Sequence, residues 1–438
     1  MMTTEITSKQ ERIIALLKQG EKSADEMRIG LEIEHIIVDN KTLKSIDYYQ
    51  DKGIESTLAE LIPMGYEPIM EKNHVVGLTH PDYIITLEPG GQIEISLNPC
   101  ARLEEIYRKY WTFLHHILPI LGKKQQWMLC IGYHPQSSIH EIPFNPKERY
   151  RHMSEYLEKT GRYAHYMMKG TASLQVVIDY KHQTDFIEKF RVAHFLMPFL
   201  ALISDNAPYF EGKPAAQHSI RTAIWDETDP ARCALIPGVM DTEFGYRSYA
   251  DYILQTPPIL VRKDQILTGT GDLRTEELKG MEGFGDEEVD HILSMVFPDI
   301  RVRRYIEIRM ADSLPLPHSF AYASLIKNLF YREEALHYLY HLSQQVQDEK
   351  ICQLRKEIQI NGYDTRIGGV TAQQMLLTLL DLAKQGAPVH EKNWLHHLED
   401  LVDRKETAAD YSRRRIAAEG LTALEWCAAH TWEEEMLP

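Results

Sequence analysis

Polar and apolar residues alternate in three stretches of this chain. In Gln92-Ile93-Glu94-Ile95-Ser96-Leu97 the polar side chains share one strand face and the apolar ones the other. Gly30-Leu31-Glu32-Ile33-Glu34-His35-Ile36-Ile37-Val38 repeats the design with Glu32 and Glu34 on one parity, and Arg304-Tyr305-Ile306-Glu307-Ile308-Arg309 repeats it again. Strand-like segments fall near residues 28–38, 84–97, 127–133, 172–179 and 301–309. Helical spacing appears around 101–121, where Leu103, Tyr107, Trp111 and Leu114 recur, and around 186–203; a short amphipathic helix is expected near Ile13–Leu17. The strands do not alternate strictly with helices, which predicts an antiparallel or mixed α+β sheet with both longer helices on its back. Residues 264–286, rich in glycine and charge, read as a long surface loop or lid. From about 319 onward the pattern is nearly all helical, with Leu325, Leu329, Leu336 and Leu339 on one packing face and Met375, Leu376, Leu379, Leu380 and Ala383 on another.

Composition narrows the picture. The 438 residues are 44% hydrophobic, ample for a core. A formal charge of −16 repels phosphate backbones and argues against nucleic acid as the main partner, while leaving metal-escorted ATP compatible. The longest apolar run, 195–203, is interrupted by Pro198 and too short to cross a bilayer, and the polar N-terminus carries no signal peptide pattern. Five scattered cysteines without Cys-x-x-Cys spacing predict a reducing, cytoplasmic setting and no disulfide framework.

The acids carry the candidate chemistry. A single glutamate on a strand is ordinarily a solvated edge charge. Three strands that repeat the motif beside faces built for a core point instead to one cavity lined by hard oxygen ligands, suited to Mg²⁺ or Mn²⁺. Glu32, Glu34, Glu88, Glu94 and Glu307 are the candidate ligands. Arg309 shares the strand face of Glu307, and Gln175 shares parity with Ser173 and Asp179. His35 has the apolar parity of Ile33 and Ile37 and reads as a core histidine; the other histidines lack ligand spacing on a shared face. Gly90-Gly91 reads as a hairpin turn that also permits close approach of a nucleotide.

Several blocks in order resemble the glutamate–cysteine ligase family, in its plant-type branch also found in bacteria. They are Gly30 to His35, Leu87 to Ser96, Ile142-Pro143 with Pro146-Lys147-x-Arg149-Tyr150, Thr171-x-x-x-Gln175-Val176, Glu211-Gly212-Lys213-Pro214, Ser219-x-Arg221-x-x-Ile224-Trp225, Asp229-x-x-Arg232 and Arg304-Tyr305-x-Glu307-x-Arg309-x-Ala311-Asp312. The similarity runs from about Arg28 to the Lys405–Ala408 region. It implies a glutamine-synthetase-like fold in one catalytic domain, residues 1–438, with a sheet-containing core to about 318 and a helical part from about 319. In that fold a curved, mostly antiparallel sheet forms a funnel, with ATP at one mouth and amino acids at the other.

The resemblance further implies ATP-dependent joining of the amine of L-cysteine to the γ-carboxylate of L-glutamate through a γ-glutamyl phosphate, the first step of glutathione synthesis. Phosphoryl transfer is mostly positioning and charge neutralisation. On that reading Glu32, Glu34, Glu88, Glu94, Glu307 and Gln175 hold Mg²⁺, and Arg309 with Glu307 is catalytic. Arg309 and Arg232 bind phosphate, while Arg221, Trp225, Thr171 and Tyr249 bind substrate. Related branches carry a histidine ligand where this chain has Gln175. Plant-type relatives also carry an aromatic patch after the Tyr249-x-Asp251-Tyr252 block, where this chain reads Thr256-Pro257-Pro258-Ile259-Leu260. No room remains for a second ligase domain, so a separate glutathione synthetase is expected downstream. Two other readings stand beside this one: glutamate activation toward a different acceptor amine, and an inactive binding protein of the same fold.

Overall fold

The computed structural model describes residues 2–263, 266–278 and 285–433, with side chains left undescribed at 2–7, 262, 263 and 266. Seven strands precede residue 180: β1 (Ile29–Asp39), β2 (Glu67–Glu71), β3 (His74–His80), β4 (Tyr83–Leu87), β5 (Ile93–Cys100), β6 (Gln126–Leu129) and β7 (Ser173–Ile178). Two small hairpins follow, β8 (Tyr209–Phe210) with β9 (Lys213–Pro214) and β10 (Leu260–Lys263) with β11 (Ile266–Gly269); then come β12 (Ile300–Val302) and β13 (Ile306–Asp312). Nine of these strands form one sheet in the order β12-β13-β7-β1-β5-β4-β3-β2, with β6 beside the far half of β1. Every pairing is antiparallel. The sheet is open, because β12 and β2 end it without pairing to each other. The expected funnel is therefore not a closed sheet; helices laid over one face make the concavity.

The alternation read in the sequence sets the two faces. Leu31, Ile33, Ile93, Ile95, Leu174, Val176, Ile306 and Ile308 are buried on the back, packed under the helices Leu103–Lys123, Gln183–Ile203 and Leu316–Phe330. His35 belongs to this side, its Nδ1 on Ile93 O at 2.9 Å and its Nε2 on Tyr110 Oη at 2.7 Å, and burial lowers its pKa to about 4. No helix among the described residues is long and apolar enough to cross a membrane. The C-terminal helices bury both expected leucine-rich faces, and the principal hydrophobic cluster runs from Ile13 to Ala429 without a break between the halves.

The β2–β3 hairpin escapes the sequence reading because the edge strand Glu67–Glu71 is exposed along most of its length and lacks an apolar face. Residues 264–286 are less of a loop than expected: β11, a turn of 3₁₀ helix at Thr275–Glu277 and the start of the Asp286–Leu293 helix fall there, while 264–265 and 279–284 lie outside the described residues.

Candidate active site

Register places the acids. Glu34 of β1 lies opposite Glu94 of β5, and Glu32 lies opposite both Ser96 of β5 and Gln175 of β7, so the four strands β4, β5, β1 and β7 turn their polar residues to one side. On β13 Glu307 pairs with Val177, of the same parity as Gln175, and Arg301 of β12 pairs with Glu307. This face would be wet on an isolated sheet. Here the helices Glu148–Leu157, Ala164–Gly170 and Ile220–Asp226 roof it and leave a cavity of about 270 Å³. Glu32, Glu34, Glu88 and Glu94 line one side, Arg301, Arg303 and Arg309 the other, and Arg149, Arg221 and Trp225 the roof. Arg149, Ser294 and Arg303 also line an adjoining cavity of about 560 Å³.

The Gly90-Gly91 turn brings Glu88 in. Gly91 has φ +87°, and a side chain at Gly90 would strike the Lys169 carbonyl. Gln92 locks the turn by donating from its amide to Thr171 O at 2.8 Å while accepting from the Gly90 N–H at 2.9 Å.

Burial raises the Glu32 carboxyl to about 8, with the charges of Glu94 and Glu307 adding to the shift. Glu88 and Glu94 are raised for the same reason, burial first and a neighbouring acid second. Glu94 accepts from Thr86 Oγ1 at 2.6 Å, and no group among the described residues donates a hydrogen bond to Glu32. Burial also raises Glu34, although Arg221 opposes it and Ser173 donates from both N and Oγ at 2.7 Å.

Glu307 differs. Burial pushes its carboxyl up, but Arg301, Arg309 and Arg303 outweigh that and hold it below the usual range. Arg301 Nε donates to Glu307 Oε2 at 2.7 Å and Arg309 Nη1 at 3.2 Å. The structure thus makes Glu307 the counter-ion of two guanidinium groups rather than an open ligand. Gln175 also departs from the ligand reading: its amide oxygen accepts from Arg309 Nη1, and its NH₂ donates to Glu34 Oε1 at 3.2 Å. It bridges the acidic and basic sides.

The acids fit a hard divalent cation by charge and donor type, because carboxylates that push one another's pKa up gain from sharing one. No three of their oxygens lie within 4.8 Å of one another, so they do not preform a three-carboxylate cage. The cluster that does close to that distance among the described residues, Glu104, His390 and Glu391, lies outside the cavity and already holds the Lys327 ammonium.

Arg221 is 5% exposed and has no hydrogen-bond acceptor among the described residues; its Nε is buried and unpartnered. Its guanidinium lies 5.3 Å from the centre of the Trp225 ring, the two residues being one helical turn apart. Thr171 lines the cavity, although its hydroxyl donates to Met167 O at 2.7 Å.

Two expected site residues are elsewhere. Arg232 is fully buried outside the cavity, where its donors reach Asp229 at 2.6 Å, Met295 O at 2.8 Å and Tyr156 Oη at 2.9 Å; it presents no surface to a phosphate. Tyr249 is also fully buried, its hydroxyl donating to Val302 O at 3.0 Å, so it supports β12 from behind and touches no substrate space. Ile259 and Leu260 pack in a side cluster and do not line the 270 Å³ cavity. Sequence reasoning gave Arg149, Arg301 and Arg303 no role; the shared parity of Arg301 and Arg303 was the available signal.

The described histidines include one i, i+4 pair on a shared exposed face, His337 and His341, whose Nε2 atoms are 2.9 Å apart, against the expectation of no such spacing. All five cysteines are free thiols.

Comparison with known proteins supplies the last observation. The profile of the family described as Glutamate-cysteine ligase family 2 (GCS2) matches residues 28–430. The chain is 31% identical over 419 residues to glutamate–cysteine ligase B, chloroplastic, of Oryza sativa subsp. japonica, covering 93% of this chain and 84% of that one. It is 30% identical over 412 residues to the chloroplastic glutamate–cysteine ligase of Arabidopsis thaliana, covering 91% and 78%. Its fold is similar to that of a Francisella tularensis glutamate–cysteine ligase solved in complex with AMP, with a TM-score of 0.56 at 12% identity over 94% of this chain and 90% of that one.

Proposed function

The chain belongs to glutamate–cysteine ligase family 2 and carries out that family's ATP-dependent formation of γ-glutamylcysteine, and we propose how its residues do so. The observation that carries the reading is Arg221, a buried guanidinium with no hydrogen-bond acceptor among the described residues, stacked on an indole and opening on an acidic cavity. A buried unpaired cation is costly, and a bidentate carboxylate removes the cost. The α-carboxylate of glutamate takes that place, and Trp225 walls its aliphatic stem. Its γ-carboxylate then faces the sheet. There an oxygen attacks the γ-phosphorus of ATP, the bond to the β-phosphate oxygen breaks, and ADP leaves. The cysteine amine attacks the resulting acyl phosphate, loses a proton and expels phosphate.

Arg309 and Arg301 face the developing phosphoryl charge, and Arg149 and Arg303, shared with the adjoining cavity, bind the nucleotide's phosphates. Glu32, Glu88 and Glu94, with Glu34, would hold Mg²⁺ or Mn²⁺, which supplies charge neutralisation at the phosphates when bound. Gln175 orients Arg309 through a neutral amide oxygen, which adds no negative charge to that of Glu307. We also propose a reducing, cytoplasmic setting, which the free thiols fit, and a separate ligase that consumes the product.

The test is ADP release from ATP, Mg²⁺ and glutamate, with and without cysteine, and with 2-aminobutyrate, alanine or serine in its place. Release that needs glutamate and is fastest with cysteine is expected. Cysteine no better than alanine would move the acceptor to another amine, and no release with any acceptor would overturn the reading.

A further inference from the structure

The short helix Ile220–Asp226 carries both Arg221 and Trp225, yet seven residues with no side-chain cap do not make a stable helix by themselves. Its apolar side packs with Tyr150, Met153, Met167 and Met168 of the N-terminal half, while its two ends are tied to the C-terminal half. The helix Asp348–Asn361 grips the entry, where the His218 N–H donates to Gln359 O at 3.0 Å. It also grips the exit, where Arg355 Nη2 donates to Asp226 Oδ1 at 2.5 Å. The other terminal nitrogen of Arg355 donates to the Asp299 carboxylate. Asp299 directly precedes β12, and its carbonyl accepts the Arg309 N–H at 2.8 Å. One guanidinium with a 7% exposed side chain therefore joins the last residue of the helix bearing Arg221 and Trp225 to the residue that fixes the backbone of Arg309.

We propose that Arg355 is a positioning residue for the ligase reaction, setting the glutamate-binding helix against the strand that carries Arg309. Lysine cannot replace it, because one ammonium does not present two diverging donors to two separated acids. The two acids divide the function. Asp226 registers the helix that binds glutamate, and Asp299 registers the strand that faces the transferring phosphoryl group. Misplacing a positioning element by about an ångström costs up to about 10²-fold in rate.

The inference rests on the glutamate reading of Arg221, and steady-state kinetics of the whole chain test it apart from that reading. Asp226→Asn is expected to raise the glutamate KM about tenfold, with kcat and the ATP KM within about twofold. Asp299→Asn is expected to lower kcat about tenfold, with the glutamate KM within about twofold, and Arg355→Lys to do both. Amide exchange over residues 220–226 should speed up in Asp226→Asn and not in Asp299→Asn. A wild-type enzyme that makes γ-glutamylcysteine while Arg355→Lys matches it in both constants would overturn the positioning role and leave the function standing. The same KM and kcat changes in both acid variants, following their melting temperatures, would also overturn it, since general stabilisation makes no split. If Arg355→Lys does not fold, the two acid variants decide.

Discussion

The polar face of the sheet holds two kinds of buried acid. At the β1–β5 end burial and the neighbouring acids push the carboxyls of Glu32, Glu88 and Glu94 up, and the cations within reach, Arg309 beside all three and Lys147 beside Glu88 and Glu94, do not outweigh them. At the β12–β13 end Glu307 is 2% exposed and nonetheless held down by the guanidinium groups around it. Both ends arise from the same local pattern, a glutamate between apolar residues in a strand. The difference lies in the neighbouring strand: β12 presents Arg301 to Glu307, whereas β5 presents Glu94 to Glu34. One end repels itself until a cation arrives; the other is neutralised within the protein and is poised to meet anionic oxygen.

Neutralising an acid at each end should therefore have opposite effects on stability. Glu307→Gln leaves two buried guanidinium groups short of their counter-charge and should cost about 3–5 kcal/mol, read as a lower urea midpoint. Glu94→Gln relieves repulsion and should leave the metal-free midpoint unchanged or higher. Equal losses would erase the distinction. In activity the order reverses for Glu94. With the fold intact, Glu94→Gln should lower kcat/KM at saturating Mg²⁺ by about 10²–10³-fold, in line with removing one group that stabilises transition-state charge; near-normal turnover would remove Glu94 from the metal site.

Two arginines sharpen the same contrast between vacant and satisfied groups. Arg221→Lys should raise the glutamate KM by the equivalent of about 1–3 kcal/mol with little change for ATP, because lysine keeps the charge and loses the planar fork. Arg232→Lys should leave the glutamate KM alone and lower the melting temperature, since Arg232 serves Asp229, Met295 and Tyr156 only. A glutamate KM effect at Arg232 equal to that at Arg221 would contradict the separation.

A further contrast is in pH. Asp312 ends the strand that bears Glu307, but burial, with the charge of Asp205 second, raises it from 3.8 to about 8. Between those values the folded protein holds a proton that the unfolded chain has lost, so stability from Asp312 falls as pH rises through that window. Glu307, lowered, contributes above the ordinary glutamate value and loses its contribution as pH falls through its folded value. Urea midpoints in chelator should show Asp312→Asn flattening the decline toward pH 8 and leaving the acid limb in place. An unchanged slope would mean that Asp312 is ionised throughout.

Much of the fold was legible because its signals are local. Alternation marked β1, β5 and β13, helical stripes marked the back of the sheet and the C-terminal half, and both rest on side-chain periodicity within one element. Alternation was silent at β2, which has no buried face, and the glycines of 264–286 hid a short hairpin strand and a helix start. Within the site, parity put Glu32 with Glu34, Glu94 and Glu307 each on the polar face of its own strand, but could not weigh their neighbours. Arg232 and Tyr249 read as site residues from their blocks, yet both side chains turn into packed protein.

The sequence by itself determined that β1, β5 and β13 are strands, which of their faces are acidic, and which family the blocks resemble, because each depends on residues adjacent along the chain. Only the tertiary structure decided that Glu307 is a counter-ion, that Gln175 bridges Glu34 to Arg309, that Arg221 finds no hydrogen-bond acceptor among the described residues, and that Arg355 ties Asp226 to Asp299. Glu307 finds its partners within the β12–β13 hairpin, but the others depend on groups far apart in the chain, such as Gln175 and Arg309, being brought into one low-dielectric space, where the presence or absence of a single opposite charge determines what a side chain does.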